Sequence, residues 1–188
     1  MSISETISSW KQKAEIDYFS LFVPLWLAFD AWCKDKYGLS TQRDCLEALK
    51  KDDLNNKTFQ KLKTLLYGTD SISETFKSYL TQLNQALEAE PILYEGERTR
   101  CLGFTNGLVN RASRVYEDLF RTRGQHNKIE LIAGIYITDE IQKIYGSYIE
   151  ILYQVRCRLL HGDFPPNKEN ERIVKYLYLT LKDLMSEI

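Results

Sequence analysis

Histidine occurs twice in this 188-residue chain, at His126 and His161, and only the second stands among arginines and before a glycine. Arg156, Cys157, Arg158, Leu159, Leu160, His161 and Gly162 close an apolar run that begins at Tyr148, and Pro165 and Pro166 follow shortly after. These residue types suit the cleavage of RNA without a metal. That reaction needs a base to take the 2′-hydroxyl proton, a cation to stabilise the phosphorane, and an acid to protonate the departing 5′-oxygen. An imidazole with an ordinary pKa of about 6.5 holds both protonation states near neutral pH. A guanidinium stays charged and offers a fork of donors to phosphate oxygens. His161 is therefore the candidate acid–base group and Arg156 the candidate phosphate ligand. Arg158, Cys157, Gly162, Lys168 and Arg172 are the supporting or RNA-binding candidates. One copy of the pair supplies a single histidine, one proton-transfer group short.

The spacing predicts a helix from Thr138 to about His161, with Ile141, Ile144, Tyr145, Tyr148, Leu152, Val155 and Leu159 on its core side. Five residues on a regular helix correspond to about 140° of rotation, so Arg156 and His161 diverge unless regular geometry stops between Leu160 and Gly162. Gly162 can supply a left-handed helix end, and the two prolines prevent continuation. The alternative is structural: a histidine in the last helical turn is favoured by the helix dipole, and Arg156 or Arg158 can pair with Glu150.

The remaining elements read mostly as helices. From Ile3 to Tyr37 the apolar residues Ile7, Trp10, Ala14, Tyr18, Leu21, Leu25 and Phe29 follow steps of mostly three and four, giving one long helix or a pair. Ser2 and Glu5 form a candidate capping box, Pro24 predicts a kink between Ser20 and Pro24, and Gly38 ends the segment. Its apolar residues lie nearly all round, so it is either a central core helix or a dimer surface. Further helices are expected from Thr41 to Lys51, from Lys57 to Leu66, and from a Ser71–Glu74 cap to Glu88. Residues 89–107 break the rhythm with Pro91, Gly96, Gly103 and Gly107, within a candidate irregular insertion at about 89–137. Val109, Ala112, Val115, Tyr116, Leu119 and Phe120 resume helical spacing, beside Arg111, Arg114, Arg121 and Arg123 as a solvated face or an RNA contact. Glu130 to Ile137 is ambiguous and reads as a short strand. Asn167 caps a last helix carrying Ile173, Val174, Leu177, Tyr178, Leu181 and Leu184.

Composition narrows the function. Hydrophobic residues make up 44% and charged residues 27%, the balance of a globular chain long enough to bury one core. Lys+Arg 25 against Asp+Glu 26 gives a net charge of −1, so any RNA contact must come from a local patch. Cys33, Cys45, Cys101 and Cys157 are widely separated and read as reduced thiols. No metal or cofactor is implied by the motifs: the phosphate-binding Gly-x4-Gly-Lys loop, the Gly-x-Ser-x-Gly elbow and the His-Glu-x-x-His helix are all absent from the sequence. Neither an apolar leader nor a membrane-length apolar run is visible, which points to a cytoplasmic protein with no membrane partner.

The Arg156-x4-His161-Gly162 pattern near the end of a largely helical chain resembles the signature of the HEPN superfamily of helical RNases and nucleotide-binding modules. The resemblance implies an all-α, HEPN-like helical bundle, here with a long kinked N-terminal helix and an irregular central insertion. It implies a homodimer in which two copies of the motif face one another across a shared cleft, metal-independent endoribonuclease activity, and a toxin or defence setting with an antitoxin or other protein partner. Active members commonly carry Asn, Asp or His directly after the motif arginine, where this chain has Cys157. A non-catalytic module binding nucleotide, RNA or protein is the second expectation, and a purely structural helical dimer the third.

Overall fold

The computed structural model describes Ser4, Ile7 and residues 16–188. Six helices and five short strands are described: α1 Tyr18–Tyr37, α2 Gln42–Lys51, α3 Lys57–Tyr67, α4 Ser71–Ala89, β1 Gly107–Asn110, β2 Val115–Glu117, β3 Phe120–Arg121, β4 Lys128–Ile132, β5 Ile135–Thr138, α5 Ile141–His161 and α6 Lys168–Leu184. With about 57% helix and 11% strand in two small sheets, the fold is mixed, and the expectation of an all-α bundle is corrected.

The strands lie where helical spacing was read. Val109, Ala112, Val115, Tyr116, Leu119 and Phe120 belong instead to an antiparallel β1–β2 hairpin, a connecting residue and the start of β3. Arg114 at a φ of 51° reverses the chain, and only Leu119 of the six is buried. The three-residue steps were therefore coincidental: Ala112 and Val115 face solvent. The second sheet has the order β3-β5-β4, all antiparallel, with Phe120 opposite Ile137 and Ile129 opposite Ile137. The segment read as one short strand is most of a hairpin, turning at Ala133–Gly134. In β4 the buried Ile129 and Leu131 flank the exposed Glu130, the two-residue alternation of a half-buried strand.

Helix starts follow from side-chain caps. Asp17 accepts from the backbone N–H of Phe19 and Ser20, so α1 begins at Tyr18 after a non-helical Ile16–Asp17. The N-terminal region is accordingly interrupted at residues 16–17, and α1 then runs unbroken through Pro24 to a left-handed Gly38. The proposed Ser2–Glu5 cap, Trp10 and Ala14 fall outside the described residues. Thr41, Asn56 and Asn167 cap α2, α3 and α6, while α4 is capped by Asp70 rather than by Ser71 with Glu74.

One continuous core runs from Phe22 to Leu184 and takes in the sheet residues Leu108, Ile129 and Ile137. Helix α6 packs against α4 and α1, and α5 packs against β1, α2 and α3. The two core phenols are matched: the Tyr145 hydroxyl meets Thr58 Oγ1 at 2.6 Å and accepts from Asn56 Nδ2 at 3.0 Å, and Tyr148 meets Thr180 at 2.9 Å. Burial pushes both phenols well above the ordinary tyrosine range.

Gly107 fixes where β1 crosses α5. A Cβ there would stand 2.7 Å from Ser147 Oγ and 2.8 Å from a Leu119 methyl, both in buried side chains. Gly107→Ala is expected to destabilise the fold by about 1–3 kcal/mol through overpacking, read as a lower urea midpoint at unchanged slope.

Candidate functional site

Helix α5 carries the motif, and it stays regular through His161. Gly162 adopts a φ of 80° and its N–H returns to the carbonyls of Arg158 and Leu159, so the helix end closes after the histidine rather than before it. Arg156 and His161 therefore keep their angular separation. His161 is exposed and lines a cleft with Glu95, Tyr153, Gln154, Cys157, Arg158 and Asp163. Arg156 lies on another flank, half-buried, with its guanidinium carbon 6.0 Å from the centre of the Trp26 ring of α1. Within one copy the two residues are not brought together.

The two arginines differ in how they are committed. Arg158 Nη2 donates to the Leu93 carbonyl at 2.7 Å, tying the 90–101 loop to the helix end. Arg156 enters no ion pair among the described residues. Its one polar contact is Nη1 to Cys157 Sγ at 3.8 Å, and its buried Nε lacks a partner. The buried indole N–H of Trp26 is likewise unpartnered, which leaves two orphan donors on the seam between α1 and α5. Lys168 and Arg172, expected as RNA contacts, line shallow clefts between α6 and α4 or beside Tyr18, and neither lines the His161 cleft.

Glu150 is not available to the motif arginines. Its carboxylate, with no exposed surface, accepts from Arg43 Nη1 at 2.8 Å, Arg43 Nη2 at 3.2 Å and Lys50 Nζ at 2.9 Å, and Gln154 Nε2 donates to it at 3.1 Å. Burial alone would raise its pKa, but the Lys50 charge together with the hydrogen bonds and charge of Arg43 outweighs it and holds the carboxyl down at about 2. Arg43 also lies 3.7 Å from the centre of the Tyr153 ring, which stiffens the same face of α5.

That face extends the cleft beyond His161. Glu150 and Gln154 close one side of a second cavity of about 540 Å³, walled by Tyr94, Leu108 and Tyr116 and rimmed by Arg111 and Arg114 of the β1–β2 turn. Arg111 and Arg114, read as a solvated face or an RNA contact, are exposed, and the hairpin places them at the cavity rim. Glu150 and Gln154, one helical turn apart and both polar on a core helix, were the signal available in the sequence.

Among the described residues no three His, Cys, Asp or Glu side chains are grouped as a metal site would require. No described helix is long and apolar enough to cross a membrane. No family model, curated protein or solved structure matches the chain.

The Glu150 cluster sets an acid limit. A carboxyl whose folded pKa is depressed stabilises the fold above its unfolded value of about 4.3, and that contribution is lost as pH falls toward its folded value. Urea midpoints of the parent should fall between pH 5 and pH 2.5, and Glu150→Gln should show a flatter profile over that window. Glu150→Ala should cost about 3 kcal/mol at neutral pH, because it leaves Arg43 and Lys50 with only the more exposed Glu47, 3.7 and 3.0 Å away, as a shared anion.

Proposed function

We propose that this chain is a cytoplasmic, metal-independent, HEPN-like endoribonuclease whose site is completed by a second copy of itself, acting as a toxin or defence effector kept in check by a protein partner. The observation that carries this reading is that the structure leaves both motif side chains uncommitted. His161 is exposed in a cleft, and Arg156 holds its guanidinium beside Trp26 with no carboxylate partner. A structural role for Arg156 would call for an acceptor, and Glu150, the acid nearest at hand in the helix, is already shared by Arg43 and Lys50.

The divergence of the two residues supports the composite site. One helix end cannot apply both to the same phosphate, whereas two helix ends related by a two-fold axis bring two arginines and two histidines to a shared cleft. One imidazole then takes the 2′-hydroxyl proton while the other protonates the leaving 5′-oxygen, and guanidinium charge stabilises the phosphorane between them. Surface apolarity favours such a pairing. Leu160, four residues after Arg156, is exposed, and α1 turns Leu21, Pro24, Leu27, Ala28 and Ala31 to solvent along one stripe.

A binding module without catalysis is the second reading, favoured by Arg158, whose guanidinium is occupied by the Leu93 carbonyl, and by the thiol of Cys157, a weak hydrogen-bonding group, directly after Arg156.

The test is incubation of the purified chain with mixed RNA in excess chelator. Cleavage should persist and leave 2′,3′-cyclic phosphate ends. His161→Ala and Arg156→Ala should each lower the rate about 10²- to 10⁴-fold with an unchanged circular dichroism spectrum, while His126→Ala, altered in an exposed loop, cleaves like the parent. Strict dependence on Mg²⁺ with 3′-hydroxyl products would overturn the mechanism. Leu27→Glu should convert a dimer to a monomer in sedimentation and lower specific activity with it; a monomeric parent that cleaves RNA would end the composite-site reading.

A further inference from the structure

We propose that the face of α5 between His161 and the β1–β2 turn is a groove for single-stranded RNA, in which Arg111 grips a backbone phosphate while Gln154 and Glu95 accept hydrogen bonds from the amino group of a base. The proposal rests on the ribonuclease reading and names where the strand lies beyond the scissile bond.

The groove is continuous because its two cavities, of about 540 and 250 Å³, share Glu95 and Gln154 as walls. Glu150, Gln154, Arg158 and His161 succeed one another at steps of four, four and three, so they line one side of α5 over about 16 Å, enough for a few nucleotides. The two ends differ in charge from the middle. At the far end Arg111 enters no ion pair among the described residues, and Arg114 shares its charge with Glu97 at 3.1 Å. Gly96 keeps room for that rim, since a Cβ there would stand 3.3 Å from Arg114 Nη2. At the near end Arg158, anchored through Nη2 on the Leu93 carbonyl, and His161 stand with Asp163. A phosphate belongs at the Arg111 end, where the cation is uncompensated among the described residues.

The middle is built of acceptors. Gln154 is only 6% exposed, and its amide nitrogen is fixed on Glu150, which orients the amide oxygen. That oxygen accepts no hydrogen bond among the described residues. Glu95 is exposed beside it and unpaired among the described residues. A carboxylate and an amide oxygen repel phosphate and accept from exocyclic amines, which adenine, cytosine and guanine present and uracil does not. Base edges are free to be read this way only in unpaired strands. A duplex, with one charge per about 1.7 Å of axis, asks for a broader basic surface than Arg111 and Arg114 provide.

The experiment uses the full-length His161→Ala chain in chelator with fluorescent 2′-fluoro oligonucleotides of about a dozen residues, so that binding is read without cleavage. Oligo(A) and oligo(C) should bind more tightly than oligo(U), and a duplex more weakly than either. Adding Arg111→Ala should weaken oligo(A) binding about tenfold and lower the salt slope by about 0.7, the loss of one phosphate contact on a single strand. Adding Arg123→Ala, at an exposed arginine outside the groove, should change neither. Gln154→Leu should reduce the preference for oligo(A) over oligo(U). Absence of binding, unchanged affinity on loss of Arg111, or equal binding of oligo(U) overturns the groove. If the parent leaves RNA intact yet binds with the expected pattern, the ribonuclease reading fails and the groove stands; if it cleaves RNA while Arg111→Ala binds as before, the reverse holds.

Discussion

The carboxylate of Glu150, sealed from solvent between Arg43 and Lys50, is the constraint on which the candidate site depends. A buried anion is tolerable only when its lone pairs are filled, and here two cations on α2 and an amide on α5 fill them. The cost of burying the Glu150 charge is offset by two cations on α2, themselves partly exposed and also paired with Glu47, which ties α2 to α5. Everything on the exposed side of α5 inherits that constraint. Gln154 is oriented by the same carboxylate, Tyr153 is held under the Arg43 guanidinium, and Cys157 follows on the next turn. The helix end with His161 is therefore the tip of a rigid element, the better support for a group that must be placed to within a fraction of an ångström.

A second constraint acts from the opposite wall. The loop between α4 and β1 has little regular structure, yet it is pinned at both ends: Arg158 donates to the Leu93 carbonyl, and Asn84 of α4 accepts from the Phe104 N–H at 3.0 Å. Tyr94, 2% exposed, donates its hydroxyl to the Asn106 carbonyl and packs its ring 5.1 Å from that of Tyr116. These contacts convert an irregular segment into a fixed wall. Helix spacing puts Arg158, three residues before His161, on the face of this wall, and Arg156, five before it, on the side of α1.

Most helices were legible in the sequence because their ends are punctuated, although α5 begins without a side-chain cap. Thr41, Asn56 and Asn167 sit before apolar periodicity, and Gly38 and Gly162 close helices through left-handed conformations that their lack of a Cβ permits. The stretch from 107 to 121 was illegible for a physical reason. Its strands are two to four residues long, too short to show alternation, and the chain reverses at Arg114, a non-glycine residue with positive φ that announces no turn. Spacing alone also could not reveal that Glu150 is claimed by α2, since Arg43 and Lys50 lie about a hundred residues away in the chain. The site was thus partly visible: the helix that carries His161 has the length its spacing predicts but stays regular through the histidine, Lys168 and Arg172 line other clefts, and the Gln154 and Arg111 side needed the fold to appear.

Trp26 gives the molecule an optical consequence. Its indole is buried at 1% exposure, its N–H has no acceptor among the described residues, and a guanidinium stands 6.0 Å from its ring. The emission of an indole responds to nearby charge and to whether its N–H is hydrogen-bonded, so the native fluorescence spectrum carries a signal from the immediate surroundings of Arg156. Any event that draws that guanidinium away, whether an anion settling on it or a second copy packing over α1, changes the field at the ring without requiring the backbone to move. The residue that packs the first helix into the core is thereby also an intrinsic dye at the motif arginine.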